Sequence, residues 1–328
     1  MYDKSLIDNP INNSSFLITG GAGFIGSNIC EYLLRHDAGE VRVLDNLCEG
    51  KRENIEPWLD RPNFRFIEGD IVDPAICVEA CKGIDFVSHQ AALGSVPRSI
   101  QTPLITNAAN VTGFLNMLTA AKDAKVKRFV FASSSSVYGD SPNLPKKEPE
   151  TGKPLSPYAV SKLVNEIYAD VFSRTYGIET IGLRYFNVFG PRQKPDGPYA
   201  AVIPLFMDAL LKNVAPTING DGEQSRDFTF VANAVEANIR GLLTQVPGAC
   251  GRVYNVAYGE RFSVNQLFEC LAELAGSNIK AAFREAREGD VRDSLADISA
   301  ANKFLGYDPQ WSFSEGLKLT WEWFCKQR

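Results

Sequence analysis

At 328 residues, with 45% hydrophobic and 22% charged side chains, the chain is long enough for two domains or for one large α/β domain with an elaborated second half. No stretch approaches the ~18 consecutive apolar residues of a membrane helix, and residues 1–14 lack the apolar core of a signal peptide, so the expected setting is the cytoplasm, without a membrane partner. A net charge of -5 with no long basic run argues against nucleic acid as a partner, and seven scattered cysteines with only two histidines, His36 and His89, suggest neither a disulfide framework nor a metal site.

In chain order, residues 15–19 read as a buried strand that runs directly into Gly20-Gly21-Ala22-Gly23-Phe24-Ile25-Gly26 and a helix through about residue 35. In such a turn Gly20 permits the tight bend, Gly23 lets backbone approach a pyrophosphate, and Gly26 lets the helix pack closely. The next strand, 41–44, ends in Asp45, a carboxylate placed to accept hydrogen bonds from an adenosine ribose and to repel a 2′-phosphate. NAD is therefore expected over NADP, although Lys51 and Arg52 could in principle reverse that preference. Strands then alternate with helices: strands at 64–68, 84–88, 128–132 and 179–184, helices at 73–81, 106–122 and from Pro157 onward. This alternation implies a doubly wound parallel sheet of the Rossmann type, with ligand at the carboxyl ends of the strands. The turn-rich run Gly190-Pro191-Arg192-Gln193-Lys194-Pro195 marks a boundary between a dinucleotide-binding domain, 1–189, and a smaller mixed α/β substrate domain, 190–328, with later segments returning to the first. In the second part helices are expected near 201–211, 232–244, 264–275 and 314–326, and short strands near 217 and 227–230.

Ser156-Pro157-Tyr158-Ala159-Val160-Ser161-Lys162 opens a helix: Ser156 as cap, Pro157 at the first position, Tyr158 in the first turn and Lys162 one turn along the same face. A free phenol has a pKa near 10, and making it a base near neutrality needs roughly 3 units, about 4 kcal/mol. A helix N-terminus offers only about 0.3 to 1 kcal/mol, so Lys162 is expected to supply most of the shift. Taken alone, a Tyr-x-x-x-Lys pair is usually an exposed helical pair. The features upstream are what lift it above that reading.

With the glycine turn, Asp45, the serine run Ser133 to Ser136 and Tyr158/Lys162 in this order, the chain resembles the extended short-chain dehydrogenase/reductases, and within them the nucleotide-sugar 4-epimerases, in particular the branch acting on UDP-N-acetylglucosamine and UDP-N-acetylgalactosamine. The resemblance runs from Ser15 through the second half. It implies that Gly20, Gly23, Phe24, Ile25, Gly26, Asp45, Asn46, Asp70, Ile71, Gln90, Ala91 and Asn110 line the NAD site, with Tyr158, Lys162 and Tyr185 at its nicotinamide end. It casts Tyr158 as the base that takes the sugar 4-hydroxyl proton while hydride leaves C4, Lys162 as the group that holds the nicotinamide ribose and lowers the phenol pKa, and Ser134 and Ser136 as hydrogen-bond partners of the 4-oxygen. Return of hydride to the other face of a 4-keto sugar gives the epimer.

The same resemblance separates reactions within the family. The related sugar dehydratases carry an Asp-Glu pair where this chain has Ser135 and Ser136, and without it elimination lacks its acid/base pair. It also implies a UDP-sugar site from Gly94, Ser95, Ser134, Ser135, Ser136, Tyr158, Asn187, Ala201, Val202, Arg226, Arg287, Asp290 and Ser294, with Arg226 and Arg287 on the diphosphate, as guanidinium forks suit its oxygens. Galactose-restricted relatives can carry a Tyr at the position of Ser294 and an Asn at that of Ala201; the small residues here leave room for an N-acetyl group. A homodimer paired through helices near 106–122 and 157–176 is a further implication. UDP-glucose, N-acetylated uronic acids, or a non-catalytic NAD-binding role are the alternatives.

Overall fold

The computed structural model describes residues 1–7, 11–194, 201–285 and 292–327. In the first half β1 (Ser15–Thr19), α1 (Phe24–Arg35), β2 (Glu40–Asp45), β3 (Phe64–Glu68), α2 (Pro74–Cys81), β4 (Phe86–His89), α3 (Val96–Gln101), α4 (Pro103–Asn107), α5 (Gly113–Asp123), β5 (Arg128–Ser134), α6 (Pro157–Tyr176), β6 (Glu179–Tyr185) and β7 (Val188–Phe189) follow one another. The second half adds α7 (Val202–Leu211), β8 (Thr217–Asn219), β9 (Ser225–Arg226), β10 (Thr229–Phe230), α8 (Val231–Leu243), β11 (Arg252–Val256), β12 (Phe262–Ser263), α9 (Val264–Ala275), β13 (Ala282–Arg284), α10 (Ser299–Leu305) and α11 (Phe313–Lys326).

Seven strands form one parallel sheet in the order β3-β2-β1-β4-β5-β6-β11, the doubly wound arrangement expected from the alternation. Successive strand residues point to opposite faces, and both faces are buried. Phe16, Ile18, Val41 and Val43 pack with Ile29 and Leu33 of α1 and Val235 and Ile239 of α8, while Leu17, Leu44, Val87 and Phe129 pack with α2, α5 and α6 on the other side. Full burial of such a side chain contributes about 1.5–3 kcal/mol.

Three departures from the expected elements matter for the site. β4 starts at Phe86 rather than at 84, because the Asp85 carboxylate accepts from the Ser15 N–H (2.9 Å) and Ser15 Oγ and so closes the end of β1 with a side chain. The helix expected at 106–122 begins at Pro103 and carries a π turn over Ala108–Thr112, with Asn110 inside it. The seventh strand, β11, lies in the second half and pairs with β6, while α8 packs on β4, β5 and β6. Among the described residues no helix is long and apolar enough to cross a membrane.

Candidate active site

Where the strand order reverses between β1 and β4, the carboxyl ends of the sheet open into a cleft of about 560 Å³. Gly20 turns the chain out of β1 with a φ of 68°, and a Cβ there would lie 2.8 Å from the Ala91 nitrogen. A Cβ on Gly26 would lie 2.2 Å from the Gly20 carbonyl, so only glycine lets α1 start this close to the turn. No side chain caps α1, and no acidic residue stands in its first turn, where Phe24, Ile25 and Gly26 line the cleft. An anion fits that helix end.

At the end of β2 the Asp45 carboxylate accepts from the N–H groups of Ala22 (3.0 Å) and Leu47 (2.8 Å). Burial raises its pKa and these two hydrogen bonds oppose the rise. Asn46 donates to Asp70 (2.8 Å), which ties the ends of β2 and β3 together; Ile71 lies beside them in the cleft wall. The Arg52 guanidinium lies over the Phe66 ring at 5.8 Å, and neither Arg52 nor Lys51 lines the cleft, so neither stands ready for a 2′-phosphate.

On the far side of β4 the opening helix forms as its sequence dictates. Ser156 Oγ accepts from the Ala159 N–H (3.1 Å), Pro157 occupies the first turn, and Tyr158 and Lys162 both line the cleft. Lys162 Nζ is 5.9 Å from the centre of the Tyr158 ring and donates to the Ala132 carbonyl (2.8 Å). Burial raises the Tyr158 pKa, and the force opposing it is a hydrogen bond with Ser134. The expectation that Lys162 does most of that work therefore needs correction: its ammonium is itself buried and pushed down to about 8, with the Glu166 carboxylate acting the other way.

The remaining predicted residues divide between cleft wall and support. Gln90, Ala91, Gly94, Ser134, Tyr185, Asn187 and Ala201 line the cleft with the groups above. Asn110 lies one layer behind: its side chain accepts from the Leu93 N–H and donates to the Leu93 carbonyl and to Ser161 Oγ, fixing the loop after β4 against α6. Ser95 caps α3 by accepting from the Arg98 N–H (3.2 Å). Ser135 and Ser136 form a 3-10 turn in which the Ser136 N–H donates to Ser134 Oγ, and the Ser136 hydroxyl is buried without a partner. Val202 starts α7 beside Ala201. Arg226 donates to the carbonyls of Ser225 (2.9 Å) and Arg292 (3.0 Å), and the Ser294 N–H donates to that same Ser225 carbonyl (3.1 Å), so Arg226 and Ser294 meet at one point outside the cleft wall. Arg287 and Asp290 lie outside the described residues.

Other groups in the wall escaped the sequence reading. Arg98, Arg192 and Lys194 bring positive charge to the cleft, with Arg98 paired to Glu49 at 2.7 Å and Arg192 to Glu31 at 2.5 Å. Behind the wall, Asp227, next to Arg226, accepts from the N–H groups of Tyr258, Gly259 and Ala296, and its carbonyl accepts from Asn187 (3.0 Å), so one buried residue fixes three loops; burial pushes its carboxyl up to about 7. Its partners lie about 30 and 70 residues away in sequence, and no local pattern announces them.

A turn that a Cβ would fill, an uncapped helix start and a carboxylate at the end of the next strand, all on one cleft, define a dinucleotide-binding protein of the Rossmann type. Residues 16–257 match the NAD dependent epimerase/dehydratase family, and the chain belongs to that family, with NAD as its cofactor. It is 36% identical to the UDP-glucose 4-epimerase of Mycolicibacterium smegmatis over 94% of this chain and 97% of that one. Among solved structures it is similar to the UDP-N-acetylglucosamine 4-epimerase of Methanobrevibacter ruminantium in complex with UDP-N-acetylmuramic acid (41% identity, 96% and 99% coverage, TM-score 0.91). It is also similar to the Thermus thermophilus UDP-glucose 4-epimerase complexed with NAD (35% identity, 95% and 99% coverage, TM-score 0.85).

Proposed function

We propose that this protein is an NAD-dependent UDP-sugar 4-epimerase and that its preferred substrates are UDP-N-acetylglucosamine and UDP-N-acetylgalactosamine. The observation that carries the reaction type is the distribution of carboxylates in the cleft. Among the described residues its acidic lining groups are Asp45, Glu49 and Asp70, all on the β2–β3 side, across β1 and β4 from Tyr158. On the Tyr158 side a proton can be exchanged with the phenol, and among the described residues no acidic pair stands there to serve elimination.

Bound NAD supplies the acceptor for the hydride of C4 and its return to the opposite face of the 4-keto sugar. Tyr158 takes the proton of the 4-hydroxyl and gives it back, Ser134 hydrogen-bonds the same oxygen, and Lys162, fixed on Ala132, holds its ammonium 5.9 Å from the centre of the phenol ring. Gly20, Phe24, Ile25, Gly26, Asp45, Asn46, Asp70, Gln90 and Tyr185 would hold the dinucleotide.

The N-acetyl preference is supported by Ala201, exposed in the cleft wall, and by the likeness to the Methanobrevibacter ruminantium enzyme. UDP-glucose is the second reading, favoured by the names of the Mycolicibacterium and Thermus relatives. Adding bulk decides between them: Ala201→Asn is expected to lower turnover of the N-acetylated sugars by about tenfold or more while sparing UDP-glucose, as expected for a pocket that rejects extra volume. Equal effects on both sugars would contradict the preference. A homodimer is also proposed, because the outer faces of α3, α4 and α6 expose Ile100, Leu104, Ile105, Val160 and Ile167 on neighbouring helices.

A further inference from the structure

Beneath the cleft floor Gln90, just beyond β4, and Tyr185, at the end of β6, close a ring with two polar side chains that have no role in the reaction as described, Ser88 on β4 and Asn238 in α8. Gln90 and Tyr185 line the cleft, whereas Ser88 and Asn238 are fully buried. One main-chain carbonyl fixes every proton in the ring. The Ala234 carbonyl can only accept, so the Asn238 amide nitrogen must face it (2.8 Å), and its second N–H donates to Tyr185 Oη (2.7 Å). Asn238 Oδ1 is left to accept from Ser88 Oγ (3.1 Å) and from Gln90 Nε2 (3.0 Å), whose other N–H goes to Ser88 Oγ (3.0 Å). Gln90 Oε1 then faces the phenol, and the Tyr185 hydroxyl must donate to it (3.0 Å). All the protons of Gln90 Nε2 and Tyr185 Oη are thus held inside the ring, and the floor offers only lone pairs to the cleft.

We propose that Asn238 is a positioning residue for the cofactor: acting through Gln90 and Tyr185, it makes this part of the floor an acceptor surface, matched to a group that donates, such as a carboxamide N–H or a ribose hydroxyl of the dinucleotide. The proposal rests on the reading that this cleft holds NAD. Burial raises the Tyr185 pKa, which keeps the phenol protonated and the ring intact, and leaves Tyr158 as the base. Reversal of the ring would turn N–H and O–H groups toward a cofactor that itself donates there.

The test is calorimetric titration of NAD, and separately of UDP, into full-length protein freed of bound cofactor, comparing wild type with Asn238→Ala and with Asn238→Leu, which nearly keeps the volume but loses both donors. The expected result is an NAD affinity about tenfold weaker in both variants, the scale of one or two buried hydrogen bonds, with UDP affinity nearly unchanged. In a Tyr185→Phe background, Asn238→Ala should add less than about a twofold further loss, because a residue acting through Tyr185 has little left to orient. NAD affinity unchanged in both variants, or an equal loss of UDP affinity, or a full additional loss in the Tyr185→Phe protein, would overturn the proposal. Failure of wild type to epimerise any UDP-sugar would sink the proposed reaction and leave this comparison of NAD affinities standing.

Discussion

Tyr158 starts from an unfavourable position for a base, since burial raises its pKa and Lys162, committed to Ala132, does little to bring it down. A bound oxidised nicotinamide would add a positive charge to the cleft and so favour the phenolate, which would link proton transfer to cofactor binding. His89 shows the opposite case. It is buried between Phe114 and Phe129, its Nδ1 is 2.9 Å from Thr19 Oγ1, and burial, helped by the Lys162 charge, holds its pKa down to about 3 from an ordinary 6.5. A base with a depressed folded-state pKa contributes stability that is present above about pH 6.5 and lost as pH falls toward 3, because only the unfolded chain takes up the proton. Urea midpoints measured from pH 7 to 4 should therefore fall less steeply in His89→Gln than in wild type; parallel slopes would contradict this. The residues legible in sequence were those whose duty is local: Gly20, Gly26 and Asp45 sit within one strand-turn-helix unit and the next strand. Asn238 was not legible, since its ring partners stand 53 and about 150 residues away and it is one of several polar residues on its helix, with Asn233, Glu236 and Arg240.

At the scale of elements, α6 is clamped to the end of β5 by two rungs one turn apart. Lys162 donates to the Ala132 carbonyl, and Glu166 accepts from Ser133 Oγ at 2.5 Å while pairing with Arg184 through two contacts of 2.9 and 2.8 Å. This fixes Ser134 relative to Tyr158. Both partners of the ion pair are over nine-tenths buried, so Glu166→Gln leaves a buried guanidinium without its counter-charge and should cost about 3–5 kcal/mol of stability. A loss below about 1 kcal/mol in chemical denaturation would show the pair to be solvated instead. Helices were readable because their starts are chemical: Ser156 caps α6, and Ser263 with Gln266 and Ser312 with Glu315 form capping boxes. The π turn in the α4–α5 stretch and the strand β11 were not, because a π turn leaves the helical pattern intact and β11 is specified by its pairing with β6.

For the whole molecule, the second half is not a separate body. It returns β11 to the sheet and packs α8 on β4, β5 and β6, so both halves of the chain share one connected core. The exposed apolar face of α3, α4 and α6 gives the proposed dimer its test. Leu104→Glu should convert a dimer into a monomer by light scattering, whereas a wild-type monomer at micromolar concentration would contradict the proposal. The most direct test of the central claim is proton NMR of UDP-N-acetylglucosamine incubated with the purified protein, wild type and Tyr158→Phe. The expected result is a mixture of the two C4 epimers with wild type, and none, with UDP-sugar binding retained, in the variant. No epimer from wild type with this or any other UDP-hexose, or full turnover by Tyr158→Phe, would contradict it.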